Sequence, residues 1–364
     1  ADFGVMTQGD GADDPAARWV RNTSWARSLL TVGAEWNTNA SAMQAARDLG
    51  WSVTLTTVAE PERRRRRHMI EPQKPISNLS EAITALAAAG MTESEVVWEY
   101  ICEDDSAGSG FAWDLLVQAR AAGYSNGATR LQPEQAFVAW RQYLQSAYTE
   151  AKSHAPAARL HARLGFPQFA HSVAPFSDCH LVELTNDDVG SFGPAIAFLR
   201  GAARQFNTSF GIDLSMWWGV IDGCVADLPA SLHRRAMMLG YIAGASTIAI
   251  EACGWVDPQG EPNFIASEVD RFGTLVAPQG RLPAHVRGTP DTVAAFVLPP
   301  DLGWSERPSY AAAAKTLWTY GNIPASTRRG AAAVDGLLST AFPGADGAFG
   351  YLAFPFGAFA DELH

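Results

Sequence analysis

Three short apolar runs in this chain each end on a carboxylate. Val96 to Asp105 reads Val-Val-Trp-Glu-Tyr-Ile-Cys-Glu-Asp-Asp, His180 to Asp187 reads His-Leu-Val-Glu-Leu-Thr-Asn-Asp, and Thr247 to Trp255 reads Thr-Ile-Ala-Ile-Glu-Ala-Cys-Gly-Trp. The groups they deliver are Glu103 with Asp104 and Asp105, then Glu183, then Glu251. A glutamate inside an apolar run is costly to bury without a partner. Each therefore either does chemistry or sits against a cation, and for Glu251 and Glu183 the structural alternative is a salt bridge to an inward arginine such as Arg163. For Asp104 or Asp105 it is capping of the next segment. Two carboxyl groups flanking one bond, the first giving a proton and the second attacking or activating water, are what glycosidic cleavage uses.

Aromatic residues stand beside these acids. Most of the twelve tryptophans serve the core, but Trp36, Trp217, Trp218 and Trp255 fall at or just past strand ends. A flat indole there stacks on the apolar face of a sugar ring. Asp104, His161, His171 and Asn186 are candidates to bond sugar hydroxyls, although a lone histidine is more often simply packed or solvated. Glu35 and Glu60 also end strands and divide between sugar contact and structural roles. Glu99 shares a face with Glu103 one layer deeper, which reads as structural.

The elements that must position these groups alternate along the chain. Eight strands are expected: Phe3–Met6, Leu29–Glu35, Val53–Glu60, Val96–Glu103, Arg159–Gly165, Leu181–Asn186, Ile212–Trp217 and Thr247–Ala252. Helical patterns separate them, among them Ser41–Leu49, Ser80–Ala89, Pro133–His154, Gly193–Phe206 and Pro229–Ala243. Strands alternating with helices imply an α/β fold with parallel strands. Eight such units over roughly 255 residues match a (β/α)8 TIM barrel, whose catalytic groups lie at the carboxyl ends of the strands. The two-residue period sets Glu183, Asp213, Arg163, His161 and Glu251 on the face opposite the aliphatic side chains of their strands. The polar set points into the barrel and the aliphatic set toward the helices.

Within that barrel Glu183 and Glu251 stand on the strands that flank the seventh, from which their carboxyls could approach to the roughly 5–5.5 Å that a retaining mechanism uses. Glu251 then attacks the anomeric carbon, and a second glutamate with a raised pKa protonates the leaving oxygen. A Glu103–Glu251 pair would span the barrel and leave room for the water of an inverting reaction. The retaining version is preferred.

Composition shifts after the eighth strand. Residues 257–292 are rich in proline, glycine and charge, which suits a loop and a linking helix. A strand at Asp291–Pro299, helices at Ser309–Tyr320 and Ala331–Ala341, and strands at Ile323–Ser326 and Phe349–Phe354 follow. These read as a small three-layer α/β unit. The division is a barrel over 1–286 and a second domain over 287–364, short enough to be expected as truncated.

The bulk properties narrow the partners. The net charge of −11 argues against nucleic acid, which needs a basic surface, and suits a neutral oligo- or polysaccharide. No apolar run approaches the roughly 20 residues that cross a bilayer. The four cysteines (Cys102, Cys179, Cys224 and Cys253) have no zinc spacing, so no metal or cofactor is expected. A Cys224–Cys253 disulfide and free buried thiols stay open. The chain starts Ala-Asp-Phe, which fits loss of a secretory signal or other trimming. Secretion is slightly preferred over a cytoplasmic location. The five arginines from Arg63 to Arg67 read as a solvated loop, or as a gate over the barrel mouth.

From Gly190 to Trp255 the residues resemble a clan-A-type TIM-barrel glycoside hydrolase. The likeness rests on a strand ending in a Glu, the helix Arg200 to Phe206, the Trp217-Trp218 strand end, the helix end Gly-Tyr-Ile-Ala-Gly-Ala-Ser, and Glu251. The region after 287 resembles the start of the amidotransferase-like domain of family 42 β-galactosidases. That resemblance implies a non-catalytic second domain and a homotrimer. Clan A carries its acid/base in an Asn-Glu pair after the fourth strand, where this chain has Cys102-Glu103-Asp104, and its nucleophile on the seventh strand rather than the eighth. Two rivals use the same barrel. A metal-dependent hydrolase would need clustered histidines, and a non-catalytic carbohydrate-binding barrel would keep the tryptophans and lose a carboxylate.

Overall fold

The computed structural model describes residues 2–7, 28–32, 47–48, 52–56, 87–88, 90–102, 133–164, 167, 170–185, 192–215, 230–250, 261–276, 295 and 297. Eight strands are present: β1 Asp2–Thr7, β2 Ser28–Val32, β3 Ser52–Thr56, β4 Val96–Cys102, β5 Arg159–Leu164, β6 Cys179–Thr185, β7 Ser209–Ser215 and β8 Thr247–Ile250. Each overlaps one expected strand. All neighbours pair in parallel and in chain order. β1 also pairs with β8, Asp2 opposite Thr247, so the sheet closes on itself.

The described helices are α1 Pro133–His154, α2 Ala170–Val173, α3 Phe192–Phe206, α4 Ala230–Ala243 and α5 Phe264–Val276. α1, α3 and α4 fall where the period of apolar residues placed them. α2 was not expected, and four residues are too few to show a helical period. α5 takes definite shape where composition suggested only a linking helix. Its first turn is fixed by Asn263, whose Oδ1 accepts from the Ala266 N–H at 2.9 Å, a standard N-cap. The expected helices Ser41–Leu49 and Ser80–Ala89 are described only at 47–48 and 87–88. The second domain over 287–364 lies outside the described residues except at Ala295 and Val297. No described helix is long and apolar enough to cross a membrane.

β6 and β7 begin earlier than the sequence suggests, at Cys179 and Ser209. Asp178 is the cause. Its N–H donates to Leu160 O at 2.7 Å, and its carbonyl accepts from Ser209 N at 3.1 Å. These bonds start the β5–β6–β7 ladder ahead of the apolar run. The Asp178 carboxylate adds to this, accepting from Lys152 Nζ at 2.6 Å and from the Leu160 N–H at 2.7 Å.

Alternation divides the two faces of the sheet. Ile212 and Ile248 point outward, and a Cβ built at Gly240 of α4 would meet both, so the missing side chain is what lets α4 lie close to the sheet. Inside, Cys179, Leu181 and Ala249 form a small apolar cluster. Gly211 fits beside it, because a Cβ there would lie 2.8 Å from both Leu181 Cγ and Thr247 O. α3 and α4 each end on a left-handed residue, Asn207 at φ 54° and Gly244 at φ 97°. The following N–H groups reach back to Ala203 O and Gly240 O at 3.0 Å, closing both helix ends.

Candidate active site

Glu183 is the fifth residue of β6 and 8% exposed. It shares the inward face with Cys179 and Leu181, toward the carboxyl end of the strand. Its register partner on β7 is Asp213, which pairs in turn with Ala249 on β8. Asp213 is fully buried and forms an ion pair with Arg163 of β5, Nη1 to Oδ2 at 2.6 Å. Arg163 is itself only 1% exposed. β6 lies between β5 and β7, so the Arg163 side chain crosses the inner face of β6 to reach its partner. Three charged groups are thus gathered on the inner side of adjoining strands.

Such an arrangement is costly unless its charges compensate. The Arg163–Asp213 pair is close enough to do so, and the buried apolar cluster of Cys179, Leu181 and Ala249 lies on the same inner face. The inward arginine that the sequence offered as a structural partner for Glu251 or Glu183 is therefore engaged with Asp213. Alternation had put both residues on the inward face, yet their pairing was missed. Strand pattern gives the face of a side chain but not how far it reaches across a neighbouring strand.

His161 is buried on β5, at the register level of Cys179 and Glu99. That is four residues below Glu183 along the strand direction, roughly 13 Å. It lies in the lower barrel rather than at the carboxyl ends, where a sugar hydroxyl was expected to meet it. The register between β5 and β6, which sequence does not reveal, is the reason.

His171 stands on α2, and a Cβ at Gly201 of α3 would be 3.6 Å from its Nε2. It packs behind the sheet, near His180, rather than among the strand ends. The chain after β5 turns into a short helix that carries it there. His180 points outward from β6, its Nε2 2.9 Å from Leu199 O. Burial pushes the His180 pKa down to about 4, against the pull of the Leu199 carbonyl and helped by His171. Burial also lowers His171. Both rings are neutral near pH 7.

The other candidates, Glu251, Glu103, Asp104, Trp36, Trp217, Trp218, Trp255 and Asn186, lie outside the described residues, as do Cys224 and Cys253. Glu251 follows directly on β8 in sequence. Cys179 is a free buried thiol. Among the described residues no three histidine, cysteine, aspartate or glutamate side chains are grouped to hold a metal ion. Chemically, the arrangement can hold one carboxyl group, Glu183, in a water-poor setting beside a compensated ion pair.

No protein-family model and no curated protein sequence matches the chain. Some solved structures are similar to it at low identity. A β-galactosidase from the psychrophilic Marinomonas ef1 is 12% identical, with 76% of this chain and 59% of that one covered at a TM-score of 0.49. A glucosidase from Croceicoccus marinus is 14% identical over 74% and 67%, with a TM-score of 0.45. A family GH128 endo-β-1,3-glucanase from Amycolatopsis mediterranei, in complex with laminaripentaose, is 13% identical over 74% and 98%, with a TM-score of 0.39. At these identities and scores the likeness concerns chain path and says nothing of chemistry.

Proposed function

We propose that the chain is a glycoside hydrolase built on a (β/α)8 barrel, cleaving an O-glycosidic bond in an oligo- or polysaccharide. The observation that carries this reading is Glu183. It is a buried carboxyl on the inward face of a parallel strand, near the end at which such barrels do their chemistry. In the retaining version Glu183 protonates the leaving oxygen, and Glu251, next after β8 in sequence, attacks the anomeric carbon. Glu103 is the alternative second carboxylate and gives an inverting reaction. Trp36, Trp217, Trp218 and Trp255 line the sugar subsites in this scheme, with Asp104 and Asn186 bonding hydroxyls. The second domain over 287–364 and a homotrimer belong to the same proposal and rest on resemblance and composition.

The test is hydrolysis of a panel of aryl glycosides and polysaccharides by the wild type and by Glu183→Gln, Glu251→Gln and Glu103→Gln. The reading expects an active wild type and two variants reduced by several orders of magnitude. Sugar binding without any turnover would replace it with a non-catalytic carbohydrate-binding barrel. Full activity in all three variants would end the two-carboxylate argument. Elution as a monomer in solution would end the trimer.

A further inference from the structure

The inner face of β5, β6 and β7 holds more charge than one catalytic carboxyl requires. We propose that Arg163 and Asp213 are positioning residues for Glu183, a cross-strand clamp of opposite charges set beside its carboxyl. The proposal deepens the glycosidase reading of the same site and rests on it for its functional meaning.

Glu183 and Asp213 are partners on adjacent parallel strands, so their Cα atoms are about 5 Å apart and both side chains turn inward. Two carboxyl groups so placed and so buried repel each other when charged, and a cation beside them offsets that repulsion. Arg163 supplies the cation. It belongs to β5, on the far side of β6, yet its guanidinium is 2.6 Å from Asp213. Reaching there takes it across the strand that bears Glu183. On the level below, Leu181 packs against Gly211. The other titratable groups that the described flanking strands turn inward near Glu183 are His161, which lies deeper on β5, and Cys179 on β6 itself. The described part of β8 brings none.

Electrostatics then fixes opposite signs for two substitutions. Neutralising Asp213 leaves Arg163 to favour the charged form of Glu183. Removing Arg163 leaves Asp213 to oppose it.

The experiment labels glutamate at Cδ with 13C and follows the carboxyl resonance that disappears in Glu183→Gln. It is titrated in the wild type, Asp213→Asn, Arg163→Met and Arg163→Lys, alongside the pH profile of hydrolysis. Asp213→Asn should move the Glu183 midpoint to lower pH by about one unit or more, and Arg163→Met should move it up by a similar amount. Arg163→Lys, which keeps the cation, should return it toward the wild-type value. The limb of the activity profile that is lost in Glu183→Gln should follow. If Arg163→Met fails to fold, Asp213→Asn decides alone. Variants that melt earlier but leave the Glu183 midpoint in place would reduce the pair to a structural bridge and overturn the proposal. Midpoints that move in a protein that cleaves no glycoside would sink the glycosidase reading and leave the clamp standing.

Discussion

Two acidic residues five positions apart mark opposite ends of the same strand and live by different rules. Asp178, just before β6, is one-third exposed at its side chain and richly bonded. It takes Lys152 Nζ, the Leu160 N–H and, at 3.4 Å, the Tyr148 hydroxyl. Every one of its contacts ties backbone or helix to the amino ends of β5, β6 and β7. Glu183 is buried inside the barrel, on the strand between those that carry the Arg163–Asp213 ion pair. The comparison teaches that an acid at the amino end organises the fold, whereas the one at the carboxyl end is the group to which the proposed function assigns chemistry. Parallel barrels generally divide stability and catalysis between their faces in this way.

The sharpest way to break this division is to remove both acids and compare. Glu183→Gln should lower turnover by about 10²–10⁴-fold, the usual worth of a proton donor, with little loss of stability. Asp178→Asn should leave turnover near wild type. Kinetics and urea melts on the same two preparations check this, and an inactive but stable Asp178→Asn protein would refute the division.

Arg163→Met should show the largest loss of stability, about 3–5 kcal/mol, because it leaves Asp213 charged or forced to protonate in the core. Urea unfolding measures it. A loss below about 1 kcal/mol would mean that the pair is far more hydrated than its burial implies.

Acid sharpens the comparison from the helix side of β6. Folded, His180 takes a proton only near pH 4, against an ordinary value of 6.5. Between those values the unfolded chain binds the extra proton, so stability is full above about pH 7 and falls as pH drops toward 4. The loss reaches up to about 3 kcal/mol, and His171 adds to it with the same sign. Melting curves from pH 7.5 to 4.5 should flatten in His180→Gln, which keeps a donor for Leu199 O. Equal slopes in variant and wild type would contradict this account.

Gly211→Ala is expected to cost about 1–3 kcal/mol through overpacking against Leu181 and the Thr247 carbonyl. Asp178→Asn should cost less than these, about 1 kcal/mol, yet more than Glu183→Gln, since its ion pair is partly exposed and asparagine keeps an acceptor for Leu160.

Much of this architecture was legible in the residues. Alternation in His180–Thr185 and in Ile212–Ser215 gave both the strands and their inward faces, because a two-residue period survives in strands as short as these. Glu183 could be singled out for the same reason. His161 and His171 could not be placed. The level of His161 depends on the register between β5 and β6, and the position of His171 depends on the four-residue α2. The Arg163–Asp213 pair escaped notice because it joins strands that are not neighbours, and nothing local in either strand encodes that reach.

The pairing of β1 with β8 has a temporal consequence. Asp2 and Phe3 find Thr247 and Ile248 only after nearly the whole barrel has been made. At about 5–20 residues per second of synthesis, the first strand waits roughly 12–50 s for its second neighbour. Through that interval the nascent sheet has two open edges, one on β1 and one on whichever strand emerged last, and such edges invite pairing with other chains. Slowing translation late in the message should therefore lower the yield of folded protein more than slowing it early.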